Sequence, residues 1–343
     1  MSLLPGTSLE PPRLSSRPLL GGQGVRHWLA VLFVLLCCAG CRSYEEVVVF
    51  YATSLRRVLA EAAQEYQQQN PKTRIRLEPS GSLLAIRKVA DLGLRADVVA
   101  VADAELIETG LVPRLASWIV EPVTNEIVLA HKDHSRATDE ITTESWQLVV
   151  RRPEVRLGRV DPDQAPLGYH TLFVWQLAGG NGLADELAGR CAAEHVVPDE
   201  TELLALLESR AIDYAFLYRS SAEDHHLKIT ELRTAENLSR RELSAHYAVA
   251  SVGIRVKHGE PPATVTGRPI TYGITVPTNA PNPARAADFV AFLLGDRGQR
   301  AFTRAGFHFH APVPCRHPER LPSGLVPLVA PSPKRGPSVD GKE

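Results

Sequence analysis

The order of strand and helix patterns constrains this chain more than any other feature of its sequence. A short β-branched and aromatic run over Val47–Tyr51 predicts a buried strand, and apolar spacing over Leu55–Gln69 predicts a helix. The alternation continues with a strand over Arg74–Glu78, a helix over Leu83–Asp91, a strand over Ala96–Ala102 and a helix that Asp103 opens. Strands alternating with helices form a parallel sheet with helices on its faces. The first part of the chain therefore predicts an α/β fold.

A second block of alternating patterns starts near Asn125. Its predicted elements are strands over Glu126–His131, Val155–Asp161 and Ile212–Tyr218, and helices over Leu172–Ala178 and Glu200–Ser209. They are followed by a strand over Pro269–Val276 and helices over Ala284–Leu294 and Gly298–Ala305. We expect a first lobe from residues 41–125, a second lobe from 126–268 and a return to the first lobe over 269–312. The Pro-, Arg- and Lys-rich residues 313–343 predict a disordered tail.

The N-terminus predicts a secretory signal rather than part of the fold. Basic residues precede an uncharged apolar run over Trp28–Gly40, which is shorter than the roughly 20 residues that span a bilayer. The run ends in Cys38-Ala39-Gly40-Cys41, which resembles a bacterial lipobox although Cys38 stands where Leu is usual. We expect a lipoprotein-type signal over residues 1–40 and lipidation of Cys41. The alternative is an ordinary cleaved signal.

The charge, cysteines and histidines limit the partners, disulfides and metal sites that we expect. The formal net charge is -1, whereas nucleic-acid binding needs a basic surplus, so we expect no nucleic-acid partner. Beyond Cys41 only Cys191 and Cys315 remain, which leaves a single disulfide open. His308 and His310 alternate along a short segment, a pattern more typical of an extended strand than of a metal site.

Small hydroxyl residues follow the first two predicted strands, where each helix begins. Thr53 and Ser54 follow the first strand, and Ser82 opens the helix after the second strand. A helix N-terminus has unpaired N–H groups and partial positive charge, and a hydroxyl adds another donor. The carboxyl edge of a parallel sheet brings two such termini to one crevice, where they would hold a dianion. The alternative is that each serine only caps its helix.

Enzyme classes have little support in the sequence. It contains no G-x-x-x-x-G-K-[ST], G-x-G-x-x-G after a strand, H-E-x-x-H or G-x-S-x-G motif. A phosphatase or sulfatase using Ser54 or Ser82 as nucleophile would need a base or metal ligands beside it, and none is placed to serve. Asp161 and Asp163 flank Pro162 and are more typical of a turn than of a catalytic carboxylate pair. We therefore expect a protein that is not an enzyme and needs no cofactor.

Several ordered stretches together resemble the tungstate/molybdate solute-binding proteins with the type II periplasmic fold. The first two are Phe-Tyr-Ala-Thr-Ser-Leu at 50–55 and Gly-Ser-Leu-Leu-Ala-Ile-Arg-Lys at 81–88. The others lie at 96–103, 124–130, 152–156, 166–171, 206–209, 212–220, 269–277 and 279–283. The resemblance implies a two-lobed α/β protein with mixed, mostly parallel sheets, helices on both faces and the ligand in the interlobe cleft.

The same resemblance implies a function outside the cytoplasm. Such a protein captures tungstate or molybdate in the periplasm or at the cell surface, delivers it to the permease of an ABC importer and is held at the membrane by its lipid anchor. We expect it to act as a monomer. The alternative is a sensor or binding module that uses the same fold for another anion, because fold alone does not settle function.

The resemblance also implies the ligand-binding residues. Thr53, which replaces the usual Gly, and Ser54 correspond to the first anion contact, Ser82 to the second, and the Tyr218 hydroxyl to a further donor. The start of the Gly-Tyr helix contributes Ala165, Pro166 and Leu167.

In some members two carboxylates also coordinate the metal of the anion. Only Glu200 is present here, because the second position is Ala165. A lone carboxylate repels a dianion unless it is protonated or bonds the metal. We therefore expect a four-coordinate oxyanion held by hydrogen bonds, with Glu200 turned away or capping its helix. His170 replaces a usual Arg, which predicts pH-dependent affinity.

Overall fold

Sixteen strands and ten α-helices are present in residues 44–255 and 262–332, which the computed structural model describes. In chain order the strands are β1 (Glu45–Ala52), β2 (Thr73–Ser80), β3 (Val98–Val101), β4 (Ile119–Val120), β5 (Val123–Thr124), β6 (Ile127–His131), β7 (Leu157–Val160), β8 (Val196–Val197), β9 (Tyr214–Tyr218), β10 (Lys228–Thr230), β11 (Ser251–Ile254), β12 (Ala263–Thr266), β13 (Gly273–Thr275), β14 (His308–Phe309), β15 (Val313–Arg316) and β16 (Val329–Pro331).

The helices follow these strands in the predicted alternation. In chain order they are α1 (Arg56–Gln69), α2 (Ser82–Ala90), α3 (Ala104–Gly110), α4 (Trp146–Val149), α5 (Pro166–Arg190), α6 (Glu200–Glu208), α7 (Arg219–Asp224), α8 (Ser244–Tyr247), α9 (Pro283–Leu294) and α10 (Asp296–Arg304). A 3-10 turn, Thr53–Leu55, joins β1 to α1. None of these helices is both long enough and apolar enough to cross a bilayer.

The first sheet has seven strands in the order β16-β15-β4-β13-β3-β1-β2. The predicted parallel arrangement is confirmed at one end, where β1 pairs in parallel with β2 and with β3. Residues Val47–Ala52 of β1 are all buried, as expected for a strand covered on both faces. Strands β13 and β15 are antiparallel to their neighbours β3 and β4, so the sheet is mixed rather than mostly parallel.

The second sheet has five strands in the order β10-β6-β9-β7-β8. Strand β9 is parallel to β7 and antiparallel to β6, so this sheet is also mixed. The chain crosses between the sheets near β5 and again before β13. The crossings are joined by a bridge between Thr124 and Thr271 and by the Asn125 N–H, which donates to the Ile270 carbonyl at 3.1 Å. These contacts hold the two connecting segments side by side between the sheets.

The region predicted as a disordered tail is partly ordered, so that prediction was wrong for residues 313–332. Strand β15 pairs antiparallel with β4 and parallel with β16, and the Val313 and Cys315 side chains are buried. Alternate burial along four residues is the pattern of a strand with one face on the core. Residues 333–343 lie outside the described residues.

Helix α5 begins six residues before the predicted start, at Pro166, and is interrupted at Gly179 and Gly180. Gly180 has φ +72°, a conformation that favours glycine, which explains why the predicted helix ended at Ala178. At the other end, a Cβ on Gly168 would lie 2.5 Å from the Pro162 nitrogen. Glycine therefore lets the start of α5 pack against the Asp161–Pro162 turn, which fixes this terminus beside the cleft.

Candidate functional site

The sequence-predicted anion contacts lie together in one narrow cleft of about 20 Å³. The first sheet and its connections contribute Ala52, Thr53, Ser54, Gly81, Ser82 and Ala102, and the second contributes Ala165, Pro166, Leu167, Asp199, Glu200 and Tyr218. All eight residues that the resemblance implied for the ligand are in this set. Their positions agree with the predicted interlobe location, whereas their contact with a ligand remains a prediction.

Five helical segments begin at this cleft. The residues that immediately precede them, Ala52, Gly81, Ala165, Asp199 and Tyr218, all line it. Four of the five make no side-chain capping bond, and Asp199 caps α6 by accepting the Glu202 N–H at 3.0 Å. Helix N-termini carry partial positive charge and unpaired N–H groups. The helix starts therefore bring backbone donors and partial positive charge to the cleft, whose lining contains no lysine, arginine or histidine.

The Ser82 hydroxyl is oriented by the backbone behind it. Its side chain is buried at the first position of α2, and its Oγ accepts the Ala102 N–H at 3.0 Å. A hydroxyl has one hydrogen to donate, and this bond occupies a lone pair rather than that hydrogen. Ser82 therefore keeps its hydrogen available to the cleft. Ser80, two residues earlier, does not line the cleft. Its Oγ accepts a hydrogen bond from Lys88 Nζ at 2.8 Å.

The hydroxyls of Ser54 and Tyr218 are each hydrogen-bonded to the side chain of an aromatic residue. Ser54 Oγ lies 2.8 Å from the Tyr272 hydroxyl, and the Tyr218 hydroxyl lies 3.0 Å from His170 Nδ1. Burial raises the pKa of Tyr218 well above its ordinary value, so the phenol stays neutral. Burial also lowers the pKa of His170 to about 3, although Asp103 opposes that shift. His170 is thus neutral near pH 7, so its pKa does not support the expected pH-dependence of affinity.

Glu200 differs from its prediction as well. Asp199, not Glu200, caps α6, and the Glu200 side chain lines the cleft rather than turning away from it. The residue is only 6% exposed, and its Oε1 has no hydrogen-bond partner among the described residues. Burial raises the pKa of its carboxyl to about 7. Glu200 is therefore a carboxyl group that changes charge near neutral pH at the wall of the cleft.

A buried cluster joins the two lobes next to the cleft. The Asp103 carboxylate accepts the Tyr169 hydroxyl at 2.8 Å and the Arg268 Nη2 at 2.6 Å. Burial alone would raise the pKa of Asp103, but the Arg268 guanidinium holds it well below its usual range. Asp103 opens α3, Tyr169 lies on α5 and Arg268 precedes the second crossing, so these bonds connect residues of the two lobes.

A second cavity of about 170 Å³ adjoins the cleft and shares Thr53, Ser54 and Glu200 with it. Arg56 and Arg57 lie on its wall, and Arg56 contacts Asp224 and His225 at 3.4 and 3.1 Å. Asp224 pairs with both arginines, and Glu208 lies on the same wall, so charges of both signs surround this cavity.

The remaining candidate residues lie away from the cleft. Cys191 and Cys315 are both buried and free, so the disulfide that the sequence left open is not formed. His308 lies in the short strand β14, as the alternating pattern predicted. Cys41 and the signal over residues 1–40 lie outside the described residues.

Sequence reasoning assigned no role to Tyr272, Asn125 or the Asp103 cluster. Asn125 and Tyr272 lie within stretches that matched the family pattern, and Asp103 ends another. Membership in those stretches was the one signal available, because their partners are 66 to 218 residues away in the chain. Only the fold brings them to the cleft.

The sequence comparisons identify the class of protein. The family model of bacterial extracellular solute-binding proteins matches residues 47–308, and the chain belongs to this family. An uncharacterized solute-binding protein of Petrotoga mobilis is 37% identical over 265 residues, which cover 76% of this chain and 83% of the relative. The molybdate/tungstate-binding protein WtpA of Pyrococcus abyssi is 33% identical over 310 residues, which cover 80% and 89%.

The solved structures agree on the fold. The periplasmic molybdate-binding protein of Azotobacter vinelandii superposes with a TM-score of 0.58 over 76% of this chain and 98% of its own, at 16% identity. The substrate-binding domain of a putative molybdenum ABC transporter from Clostridium difficile gives 0.50 at 19% identity, covering 76% and 97%. These likenesses confirm the predicted two-lobed, periplasmic-binding-protein-like fold.

Proposed function

We propose that this protein captures a tetrahedral oxyanion, tungstate or molybdate, outside the cytoplasm and delivers it to the permease of an ABC importer. The observation that carries the proposal is the convergence of five helix starts and three hydroxyls, those of Ser54, Ser82 and Tyr218, on one narrow cleft. Similarity to relatives named molybdate/tungstate-binding proteins supports the choice of anion. We further propose a monomer that is anchored to the membrane through a lipid on Cys41.

Binding in this proposal depends on neutral donors. The N–H groups at the starts of α2 and α5 and the side-chain hydroxyls surround the anion, and the helix dipoles offset its charge without a cation in contact. Pro166 has no N–H, so Leu167 is the first residue of α5 that brings a backbone donor. A cleft of about 20 Å³ holds little more than the roughly 10–15 Å³ that one water needs, so the lobes must open to admit an oxyanion and then close around it.

Isothermal titration calorimetry on the chain from Tyr44 to Glu343, which includes the whole compact unit Glu45–Glu343, tests the proposal. We expect one-to-one binding of tungstate and molybdate with Kd below about 1 µM, or a binding free energy beyond about -8 kcal/mol, and little heat with sulfate or phosphate. No heat with any of the four anions would overturn the oxyanion assignment. It would favour a binding module for another ligand.

A further inference from the structure

One arginine of the first lobe contacts two neighbouring residues of the second lobe beside the second cavity. Arg56 begins α1, Asp224 ends α7, and His225 is the residue that follows it. Arg56 Nη2 donates to Asp224 Oδ2 at 3.4 Å and to His225 Nε2 at 3.1 Å. Arg57 adds a longer ion pair with Asp224 at 3.9 Å. All four residues line the cavity, so the contact connects the two lobes next to the cleft.

The chemistry of arginine determines the direction of the bond to His225. A guanidinium has only donors and stays protonated in proteins, so Arg56 cannot accept a hydrogen bond. His225 Nε2 is therefore the acceptor, which requires a neutral ring with its hydrogen on Nδ1. A second proton would occupy Nε2 and leave two cationic groups 3.1 Å apart. The bond from Arg56 to His225 thus exists only while the histidine is neutral.

The charged groups around His225 disfavour a proton on its ring. Three cations and two carboxylates surround it from α1, α6, α7 and the end of β6: Arg56, Arg57, Lys132, Asp224 and Glu208. Both carboxylates already pair with these cations, Asp224 with the arginines and Glu208 with Lys132. Burial, followed by Arg56, lowers the pKa of His225 from its ordinary value of 6.5, although both carboxylates oppose that shift. The contact between the lobes therefore favours the neutral ring.

We propose that Arg56 and His225 form a pH-sensitive contact between the lobes, which helps to hold the cleft closed around the anion and is lost when His225 takes up a proton. This inference rests on the proposed function, in which the lobes open to admit an oxyanion, and adds a means of regulation to it. Opening separates Arg56 from His225 and returns the ring to water. A group that is harder to protonate in the closed state shifts the protein toward the open state once it is protonated.

The direction of the pH effect follows from the lowered pKa of His225. Above its ordinary value of 6.5 the ring is neutral in the open and the closed state, so the contact contributes in full. As pH falls below 6.5, the open state takes up the proton first, and closure becomes less favourable. Because Arg56 and His225 are both partly exposed, the contact contributes no more than a surface ion pair, which corresponds to about a two- to fivefold change in Kd.

The most direct test is the pKa of His225, measured by NMR titration with and without saturating tungstate. If protonation of His225 opens the lobes, reciprocal linkage requires tungstate to lower this pKa, with a rise of about two- to fivefold in the acid dissociation constant. The dianion alone would raise the pKa, because an anion stabilises a nearby imidazolium. An unchanged or higher pKa of His225 in the tungstate complex therefore overturns the inference. His131 is the control, because its partners Thr138 and Thr230 both lie in the second lobe, and we expect its pKa not to respond.

A pair of variants connects the contact to oxyanion affinity. The Glu200 carboxyl also titrates beside the cleft, and its protonation acts in the opposite direction, so Glu200→Gln serves as the common background. In that background we expect the tungstate Kd, measured by calorimetry, to rise about two- to fivefold between about pH 7.5 and about pH 5.5. Adding His225→Gln should abolish the rise, because the glutamine oxygen accepts from Arg56 at either pH.

His226→Gln in the same background is the matched control. His226 is the next residue and is exposed, and its backbone N–H donates to the Glu223 carbonyl within the second lobe. We expect this variant to keep the rise in Kd at acid pH. If His225→Gln and His226→Gln respond alike, the contact does not control closure and the inference is overturned. Wild-type protein that binds no tungstate would instead refute the proposed function, and the inference with it.

Discussion

The two sides of the cleft use different chemistry although both place helix starts against it. The first-sheet side, formed by Thr53, Ser54 and Ser82, has no titratable group in the cleft. The second-sheet side includes Glu200 and Tyr218, with His170 behind the tyrosine. From this comparison we expect the first-sheet side to select the anion. We expect the second-sheet side to set how binding depends on pH and on lobe closure.

The largest expected effect is a loss of stability when the ion pair between Asp103 and Arg268 is broken. Asp103→Asn leaves Arg268 without its carboxylate, and removal of one member of a buried pair costs roughly 3 kcal/mol of unfolding free energy. The pKa of Asp103 is depressed from 3.8, so the ion-pair stabilisation is complete above that pH and is lost as pH falls through the folded-state pKa. Chemical denaturation at several pH values measures the difference between wild type and variant.

A matched variant distinguishes an effect on protein stability from an effect on closure of the two lobes. Asp213 is also buried and pairs with Arg136 at 2.9 Å, but within the second lobe. We expect Asp213→Asn to destabilise the protein with unchanged oxyanion affinity, whereas Asp103→Asn also raises the oxyanion Kd several-fold. Equal affinities in the two variants would show that the Asp103 cluster does not contribute to closure.

The next-largest effect is a rise in oxyanion Kd when only the first-sheet side of the cleft is changed. Ser82→Ala removes a donor that we propose contacts the anion. A hydrogen bond to a charged group contributes about 1.5–3 kcal/mol, so we expect Kd to rise about ten- to a hundredfold. Ser80→Ala is the control, because Ser80 lies two residues earlier and bonds Lys88 instead. Titration with tungstate distinguishes them. A comparable loss in both variants would place the anion elsewhere.

The smallest effect concerns the pH response of the second-sheet side. A dianion beside Glu200 favours its protonated form, so affinity is highest below the folded-state pKa of about 7 and decreases as pH rises through it, by at most about tenfold per unit. Glu200→Gln keeps the shape and stays neutral, and its affinity should be flat from about pH 6 to 9. His170 is neutral over that range and contributes nothing. An increase of wild-type affinity with pH would instead indicate that the carboxylate coordinates the metal.

The sequence predicted the local parts of this molecule well. The alternation of strands and helices, the hydroxyls at helix starts and the family resemblance all depend on residues close together in the chain. The antiparallel insertion of β13 beside β3 was missed because periodicity does not specify strand direction. Strand β15 was missed because four alternating residues within a Pro- and Arg-rich stretch carry a weak signal.

The electrostatic state of the site was harder to predict than its location. His170 was expected to titrate near neutral pH, but its side chain is 1% exposed, and burial disfavours its charged form. Glu200 was expected to face away, yet it is buried at the cleft. Both outcomes depend on how completely the lobes exclude water, which residue order in the chain does not determine.

The position of β13 also has a consequence for the order of folding. This strand lies between β3 and β4 in the sheet, and Gly273 pairs with Val101 although the whole second lobe separates them in the chain. The second sheet is built from residues within 127–230 alone, so it can form as soon as that stretch is available. The first sheet must wait for residues made late in synthesis and then close a long loop, which makes its completion the slow step. We expect the second lobe to acquire protection from amide hydrogen exchange before the first.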